Sequence, residues 1–171
     1  MTIERFKRLD GLSLMNGLLI GLILLVMSLG GVAIYRSMDV QNRVARSFQG
    51  WYEDTAGYQR ALADQAETQK PVLLYFYATW CPHCKQFAAN VLSAPETQDF
   101  VKTFPHVRIA PDNGEAEKKL MSEFGAEGYP AFYVVMPDQR RIQIDTFADT
   151  PTPHPKTGTE FIESIQEVIR K

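Results

Sequence analysis

The sequence predicts an α/β protein, a three-layer sandwich with a mixed central sheet, preceded by one N-terminal transmembrane helix. Between residues 51 and 171, short apolar runs of strand length alternate with segments whose apolar residues recur at helical spacing. The last two strand-like runs are separated only by a turn, and a helical segment follows them. Such an order places helices on both faces of a sheet that ends in an antiparallel hairpin.

The composition limits the classes of function. The chain has 171 residues, enough for one domain of ordinary size plus appendages. Its formal net charge of -2 gives no indication of a nucleic-acid partner. Two cysteines are too few for a disulfide framework.

The N-terminal region contains an uncharged stretch, residues 11–35. As a helix it would be ~37 Å long, more than the ~30 Å hydrocarbon core of a bilayer. A cleaved signal peptide would have an apolar region of only ~7–15 residues and a small-x-small cleavage site, which residues 32–36 do not offer. We predict an uncleaved membrane anchor after a short tail, residues 1–10. Three basic residues precede the stretch and three follow it, so the positive-inside count does not fix its orientation.

Residues 36–50 are polar and are interpreted as a juxtamembrane linker, and the domain begins near Trp51. Continuous apolar or alternating runs predict four strands, at residues 72–77, 106–110, 131–136 and 141–147. Helical spacing predicts helices over 57–69, from Cys84 onward, from a Ser93–Glu96 capping box to about Phe104, from Asp112 to a cap at Gly125, and over 159–170 with Thr157 and Glu160 as a cap. Residues 149–158 contain three prolines and predict an irregular loop.

Both cysteines lie in one short motif, Cys81-Pro82-His83-Cys84, at the predicted junction between a buried strand and a helix. A helix N-terminus carries free amide donors and about half a positive charge, and both stabilise a thiolate at Cys81. Pro82 suits the first turn of a helix, and a protonated His83 would add positive charge. We expect an exposed Cys81 to attack substrates and Cys84, one turn later, to resolve the mixed disulfide.

The cysteine pair could also be part of a metal site or a structural disulfide. A zinc site needs four ligands, and this motif supplies two, with no paired histidine spacing elsewhere to complete it. A purely structural disulfide would close a very short loop, which constrains the unfolded chain little. Redox chemistry is the favoured interpretation, and no metal ligand is assigned.

The segment YFYATWCPHCK, with Trp80 directly before the first cysteine, resembles the active-site segment of thioredoxin-fold proteins. The resemblance covers residues 51–171 and implies a thioredoxin-like fold. The Cys-Pro-His-Cys motif is similar to that of the periplasmic disulfide-forming (Dsb) oxidants. The flanking sequence looks more like the thioredoxin-like domain of the membrane-bound thiol:disulfide interchange reductases. The two likenesses imply opposite redox directions, so the direction stays open.

The family resemblance also implies a second site segment and one departure. In thioredoxin-like proteins a cis proline lies against the two sulfurs, and here that position is Tyr129-Pro130, which would shape the substrate groove. Thioredoxins carry a buried acid six residues before the first cysteine, and here that position is Tyr75. Tyr75 is a poor substitute for a carboxylate, so water or an acid from elsewhere would have to accept the proton.

The resulting expectation is a membrane-anchored thiol-disulfide oxidoreductase of the bacterial inner membrane, single-pass, with its catalytic domain in the periplasm. Cys81 and Cys84 would be catalytic, and Pro82, His83 and Trp80 would tune the site. No bound cofactor is expected, because the sulfurs carry the electrons. The expected partners are protein thiols and disulfides and a redox partner protein. The alternatives are a copper or zinc chaperone that uses the same cysteines, and an assembly protein that only docks a partner.

Overall fold

A computed structural model describes residues 3–148 and 154–171, with only the backbone described over residues 3–15. The chain divides into two compact units, Met1–Gln41 and Asn42–Lys171. Of the predicted loop 149–158, residues 149–153 lie outside the described residues.

The first helix, α1, spans Ile3–Ser47. Among the described residues it is the one helix long and apolar enough to cross a membrane, over Asn16–Ser47. The large apolar side chains from Leu18 to Tyr35 are exposed along it. The helix continues through residues 36–47, within the predicted linker, because this stretch contains neither glycine nor proline. Gly50, at a φ of 86°, then redirects the chain.

The second unit is built on a mixed sheet, as predicted. Its order is β1-β3-β2-β4-β5, with β1, β3 and β2 parallel and β4 and β5 antiparallel to their neighbours. The strands of this sheet are β1 Tyr52–Glu53, β2 Val72–Phe76, β3 His106–Ile109, β4 Ala131–Val135 and β5 Arg141–Ile144. The sequence did not predict β1, because two residues are too short to carry a hydrophobic pattern.

A small two-stranded ribbon follows the sheet. It pairs β6, Phe147–Ala148, with β7, His154–Pro155, in antiparallel register. The predicted strand 141–147 was therefore too long, because β5 ends at Ile144 and the chain then enters this ribbon. Part of the loop predicted at 149–158 is also wrong, since His154 and Pro155 form β7.

The remaining helices cover both faces of the sheet. They are α2 Asp54–Thr68, α3 Pro82–Phe87 extended by a wider turn over Ala88–Leu92, α4 Pro95–Val101, α5 Glu115–Glu123 and α6 Gly158–Arg170. A short 3₁₀ turn, Pro111–Asn113, separates β3 from α5, so the helix predicted from Asp112 begins three residues later. The helix predicted to extend to Phe104 ends at Val101.

Two of the three predicted helix caps are confirmed. The Thr157 hydroxyl accepts a hydrogen bond from the Glu160 amide at 3.3 Å, and the Glu160 carboxylate accepts one from the Thr157 amide at 2.8 Å. Gly125 follows α5 with a φ of 68°, which glycine adopts at little cost. The Ser93–Glu96 capping box is wrong, because Ser93 instead donates its hydroxyl to the Ala89 carbonyl at 2.6 Å.

The core lies on both sides of β2, all five side chains of which are buried. On one side Leu73 and Tyr75 pack with Phe87 of α3 and Phe161 of α6. On the other side Val72, Leu74 and Phe76 pack against α2 and α5. This arrangement accounts for the unbroken apolar run of the sequence, since a strand covered on both faces has no solvent-facing side. Packing on both faces also positions the end of β2, from which the chain continues into the cysteine motif.

Candidate dithiol active site

The cysteine motif begins the helix that follows β2. Cys81 is the N-cap of α3, and its Sγ accepts a hydrogen bond from the backbone amide of Cys84 at 3.2 Å. Pro82 occupies the first helical turn, where its missing amide hydrogen costs nothing. A backbone amide at the start of the helix therefore donates to the Cys81 sulfur, as the sequence predicted.

The two cysteines are equally buried, which corrects the expectation of an exposed Cys81. Cys81 is 4% exposed and Cys84 3%, and both are free thiols. Cys81 is covered because it packs with Ala78 and Tyr129 in a small apolar cluster at the end of β2. Attack by Cys81 thus requires a substrate that fits closely against this cluster.

The difference between the cysteines lies in their electrostatics. Burial raises the pKa of Cys84 to about 12, and the hydrogen bond and charge of Cys81 act in the same direction. Cys84 is therefore a thiol at neutral pH, whereas the Cys81 sulfur accepts the backbone amide hydrogen bond at the start of α3. This asymmetry is the one that stepwise dithiol exchange needs.

Trp80 forms an exposed wall beside the cysteines. Its side chain is 64% exposed, and its indole Nε1 donates a hydrogen bond to Asp112 at 2.6 Å. The indole ring meets the Tyr129 ring edge-on, with 5.8 Å between centroids. The sequence placed Asp112 at a helix start and did not connect it to the site, because the contact spans 32 residues of chain.

Tyr129 and Pro130 lie at the head of β4, next to β2. The bond between them is cis, as predicted from the family resemblance. Tyr129 packs against the Ala78–Cys81–Cys84 cluster, and burial together with the charges of Asp112 and the cysteines raises its pKa. The loop before β4 thus contributes one side of the surface around Cys81.

His83 is exposed on the first turn of α3. Its ring meets the Phe147 ring edge-on at a centroid distance of 5.4 Å and an angle of 89°. Phe147 belongs to β6, an element that the sequence did not resolve from β5. The ribbon thereby contacts the imidazole of the motif.

A partly open cavity of about 360 Å³ lies behind Cys84. Its lining is mostly apolar and includes Phe48, Tyr75, Tyr77, Ala88 and Arg108 together with Cys84. The Arg108 guanidinium lies over the Phe48 and Tyr77 rings at 4.6 and 5.4 Å and is paired with Glu53. No pattern in the sequence indicates this cavity, because its walls come from four separate segments.

Potential metal ligands do not cluster in the part of the chain that the structure describes. Within it, no group of three or more His, Cys, Asp or Glu side chains lies close enough together to hold a metal ion. The donors in the site are thus the sulfurs of Cys81 and Cys84, two of the four that a structural zinc site uses.

Comparison with known proteins places these features in a family. A thioredoxin-like family model matches residues 51–137. The thiol:disulfide interchange protein DsbD of Neisseria meningitidis is 35% identical over 94 residues, which are 53% of this chain and 16% of that protein. Bovine protein disulfide-isomerase A4 is 38% identical over 101 residues, 57% of this chain and 13% of that protein. The chain thus spans less than a fifth of the length of these relatives.

Solved structures agree with this assignment. The oxidised C-terminal domain of Neisseria meningitidis DsbD has a TM-score of 0.55 at 30% identity, and the match covers 69% of this chain and 98% of that one. A thioredoxin from Thermus thermophilus, at 21% identity and a TM-score of 0.53 over 70% of this chain and 87% of that one, shares the fold. With the family match extending from β1 to the end of β4 and including the cysteine motif, the chain belongs to the thioredoxin-like family.

Proposed function

We propose that this chain is a thiol-disulfide oxidoreductase that acts on protein thiols and disulfides through Cys81 and Cys84. The observation that carries the proposal is the asymmetry of the pair: the Cys84 amide donates to the Cys81 sulfur, and burial keeps Cys84 protonated. The names of its relatives, a thiol:disulfide interchange protein and protein disulfide-isomerases, support the same chemistry.

The proposed cycle needs no bound cofactor. The Cys81 thiolate attacks one sulfur of a substrate disulfide, a Cys81–substrate disulfide forms, and the other substrate sulfur leaves as a thiolate. Cys84 then loses its proton and attacks the Cys81 sulfur, which releases the second substrate thiolate and leaves a Cys81–Cys84 disulfide. Two electrons pass from the dithiol to the substrate, and the reverse sequence oxidises a substrate dithiol.

The surface around Cys81 is proposed to select extended protein segments. Exposed Trp80, held by Asp112, contacts Tyr129, and together with Pro130 these residues form one continuous surface beside Cys81. Because Cys81 is almost fully buried, a substrate strand must lie against this surface before its sulfur can reach Sγ. His83 and Pro82 are proposed to tune the stability of the thiolate from the first turn of α3.

The proposed location is the bacterial inner membrane, with α1 as a single span and the catalytic unit in the periplasm. The apolar, exposed stretch from Asn16 supports the anchor. The compartment rests on the family resemblance of the motif and on the oxidising environment that protein disulfides require. A membrane-bound redox partner that regenerates the pair is part of this proposal.

The function is tested with the full chain in detergent micelles, by reduction of a protein disulfide such as that of insulin and by reactivation of a scrambled disulfide protein. Replacing Cys81→Ser should lower both activities by about 10³-fold or more, because the attacking sulfur is gone. Cys84→Ser should retain the first step and accumulate mixed disulfides with substrates. Ser93→Ala, directly after the same helical segment, is the control and should behave as the wild type.

Two outcomes would contradict the proposal. Full activity of Cys81→Ser would leave only a docking role for the fold. Stoichiometric, tight copper or zinc binding without disulfide exchange would assign the cysteines to metal transfer. The direction is measured by equilibration with glutathione: a potential above that of the buffer assigns an oxidant or isomerase, and one below it assigns a reductase.

A further inference from the structure

The cavity behind Cys84 contains a hydroxyl that contributes no ordinary hydrogen bond to the fold. Tyr75 is fully buried, and its oxygen makes no hydrogen bond of ordinary length and angle with any residue that the structure describes. A buried hydroxyl left in this way costs free energy, so such groups are uncommon in folded proteins. The Tyr75 hydroxyl is therefore better explained by a role in the reaction than by a contribution to stability.

The ring that carries this hydroxyl is firmly held. Tyr75 stacks on Tyr77 at 5.7 Å and on Phe48 at 5.9 Å, and it packs against Phe87 at 5.7 Å and Phe132 at 6.1 Å. Rings on several sides leave little freedom to the side chain. The hydroxyl consequently keeps one position, at the wall that Tyr75 shares with Cys84.

The Tyr75 oxygen and the Cys84 sulfur influence each other directly. The pKa of Tyr75 is raised well above 10.0 by burial and by the charges of the cysteines, so the hydroxyl keeps its proton throughout the physiological range. The proximity of the Tyr75 hydroxyl lowers the pKa of Cys84 against the larger effect of burial. Tyr75 is thus suited to donate a hydrogen bond to a Cys84 thiolate and unsuited to accept its proton.

No carboxylate lines this cavity within the described part of the chain. The titratable and charged groups around Cys84 are Cys81 on its own segment, Tyr75 and Tyr77 from the β2 region, Tyr129 from the loop before β4, and Lys85 and Arg108 at the cavity wall. Arg108 is ion-paired with Glu53, which does not line the cavity, and none of the lining groups is a carboxylate that could accept the Cys84 proton at neutral pH. Water that enters the cavity is left as the proton acceptor.

We propose that Tyr75 is a catalytic residue, whose hydroxyl donates a hydrogen bond to the Cys84 thiolate while the cavity gives the Cys84 proton a path to water. The inference rests on the proposed dithiol exchange. In resolution, the Cys84 proton passes to water in the cavity, and the thiolate held by Tyr75 attacks the Cys81 sulfur of the mixed disulfide. The Cys84–Cys81 bond forms as the substrate thiolate leaves with the electron pair. In the reverse direction Cys84 is the leaving thiolate, stabilised by the same hydrogen bond.

The test follows the reaction of the reduced full chain with an excess of an aromatic disulfide, 5,5′-dithiobis(2-nitrobenzoate), by stopped flow. A first, reagent-dependent release of coloured thiolate reports attack by Cys81, and a second, reagent-independent release reports resolution by Cys84. Tyr75→Phe should leave the first phase unchanged. It should slow the second phase about 10-fold at neutral pH and raise its pH midpoint by about one unit, the effect of one hydrogen bond to a charged group.

Tyr77→Phe is the matched control, because it removes a hydroxyl from the same aromatic stack without a hydrogen bond to Cys84. It should leave both phases unchanged. Urea unfolding of each reduced variant reports any structural effect. A second phase of wild-type rate and midpoint in Tyr75→Phe would overturn the inference, whatever its stability. The absence of a first phase in the wild type would instead refute the proposed function itself.

Discussion

At the scale of single residues, the two cysteines have the same side chain but different electrostatic surroundings. Both sulfurs are buried, yet only Cys81 receives the amide hydrogen bond of the helix start. Cys84 lines the same cavity as an aromatic stack, and burial there raises its pKa to about 12. Sequence position alone does not separate these environments, because the stack is assembled from Phe48, Tyr75 and Tyr77.

The raised pKa of Cys84 predicts a loss of stability of the reduced protein in alkaline solution. The folded state keeps the Cys84 proton up to about pH 12, whereas the unfolded chain releases it near the ordinary value of 9.0. The stabilising contribution is therefore fully present below about pH 9 and is lost as the pH rises toward 12, by up to about 1.4 kcal/mol per pH unit.

This prediction is measured as the difference in urea unfolding free energy between the wild type and Cys84→Ala, under reducing conditions and at several alkaline pH values. The difference removes the contribution of Tyr58 and Tyr77, whose pKa values are raised by causes other than Cys84. We expect the advantage of the wild type to shrink as the pH increases. Parallel pH profiles for the two proteins would contradict a buried, protonated Cys84.

At the scale of elements, the helix starts contain most of the local information that positions the site. Cys81 and Thr157 both accept a hydrogen bond from the amide three residues later, and only Thr157 is completed by a reciprocal glutamate. The first cap places a reactive sulfur, and the second fixes α6, whose Phe161 packs on Phe87 of α3 at 5.1 Å. The stability of α6 therefore supports the helix that carries the cysteines.

Removal of the Thr157 cap predicts a measurable loss of stability. Thr157→Ala should lower the free energy of unfolding by about 1 kcal/mol, because the Glu160 amide loses its acceptor. The control is Thr159→Ala, which deletes the same atoms from an exposed position in the first turn of α6 and should change stability little. Both are measured by urea unfolding. Equal stabilities of the two variants would show that the capping box contributes nothing.

At the scale of the whole molecule, the chain combines an apolar helix with a redox unit that has its own core. The division after Gln41 leaves the end of α1 with the second unit. There the Ser47 carbonyl accepts a hydrogen bond from Gln98 at 3.0 Å, and Phe48 stacks on Tyr75 and Tyr77. The segment predicted as a linker is thus part of the site's support.

We expect the two units to be separable at Gln41. Deletion of residues 1–41 should give a water-soluble protein with both phases of thiol release intact, whereas the full chain should stay in the membrane fraction after an alkaline carbonate wash. A longer deletion of residues 1–50 should slow the second phase or destabilise the protein, because it removes Phe48 from the stack. Recovery of the full chain in the soluble fraction would contradict the anchor.

Features that depend on near neighbours along the chain could be predicted from the sequence. The apolar length of α1, the buried run of β2, the cap at Thr157 and the place of Cys81 at a helix start all follow from residues within a few positions of one another. Three features could be read only from the tertiary structure: the burial of Cys81, the hydrogen bond between Trp80 and Asp112, and the cavity that Tyr75 and Cys84 line together. The physical reason is that solvent exclusion, long-range hydrogen bonds and pKa shifts depend on groups brought together from distant parts of the chain, and no local pattern records them.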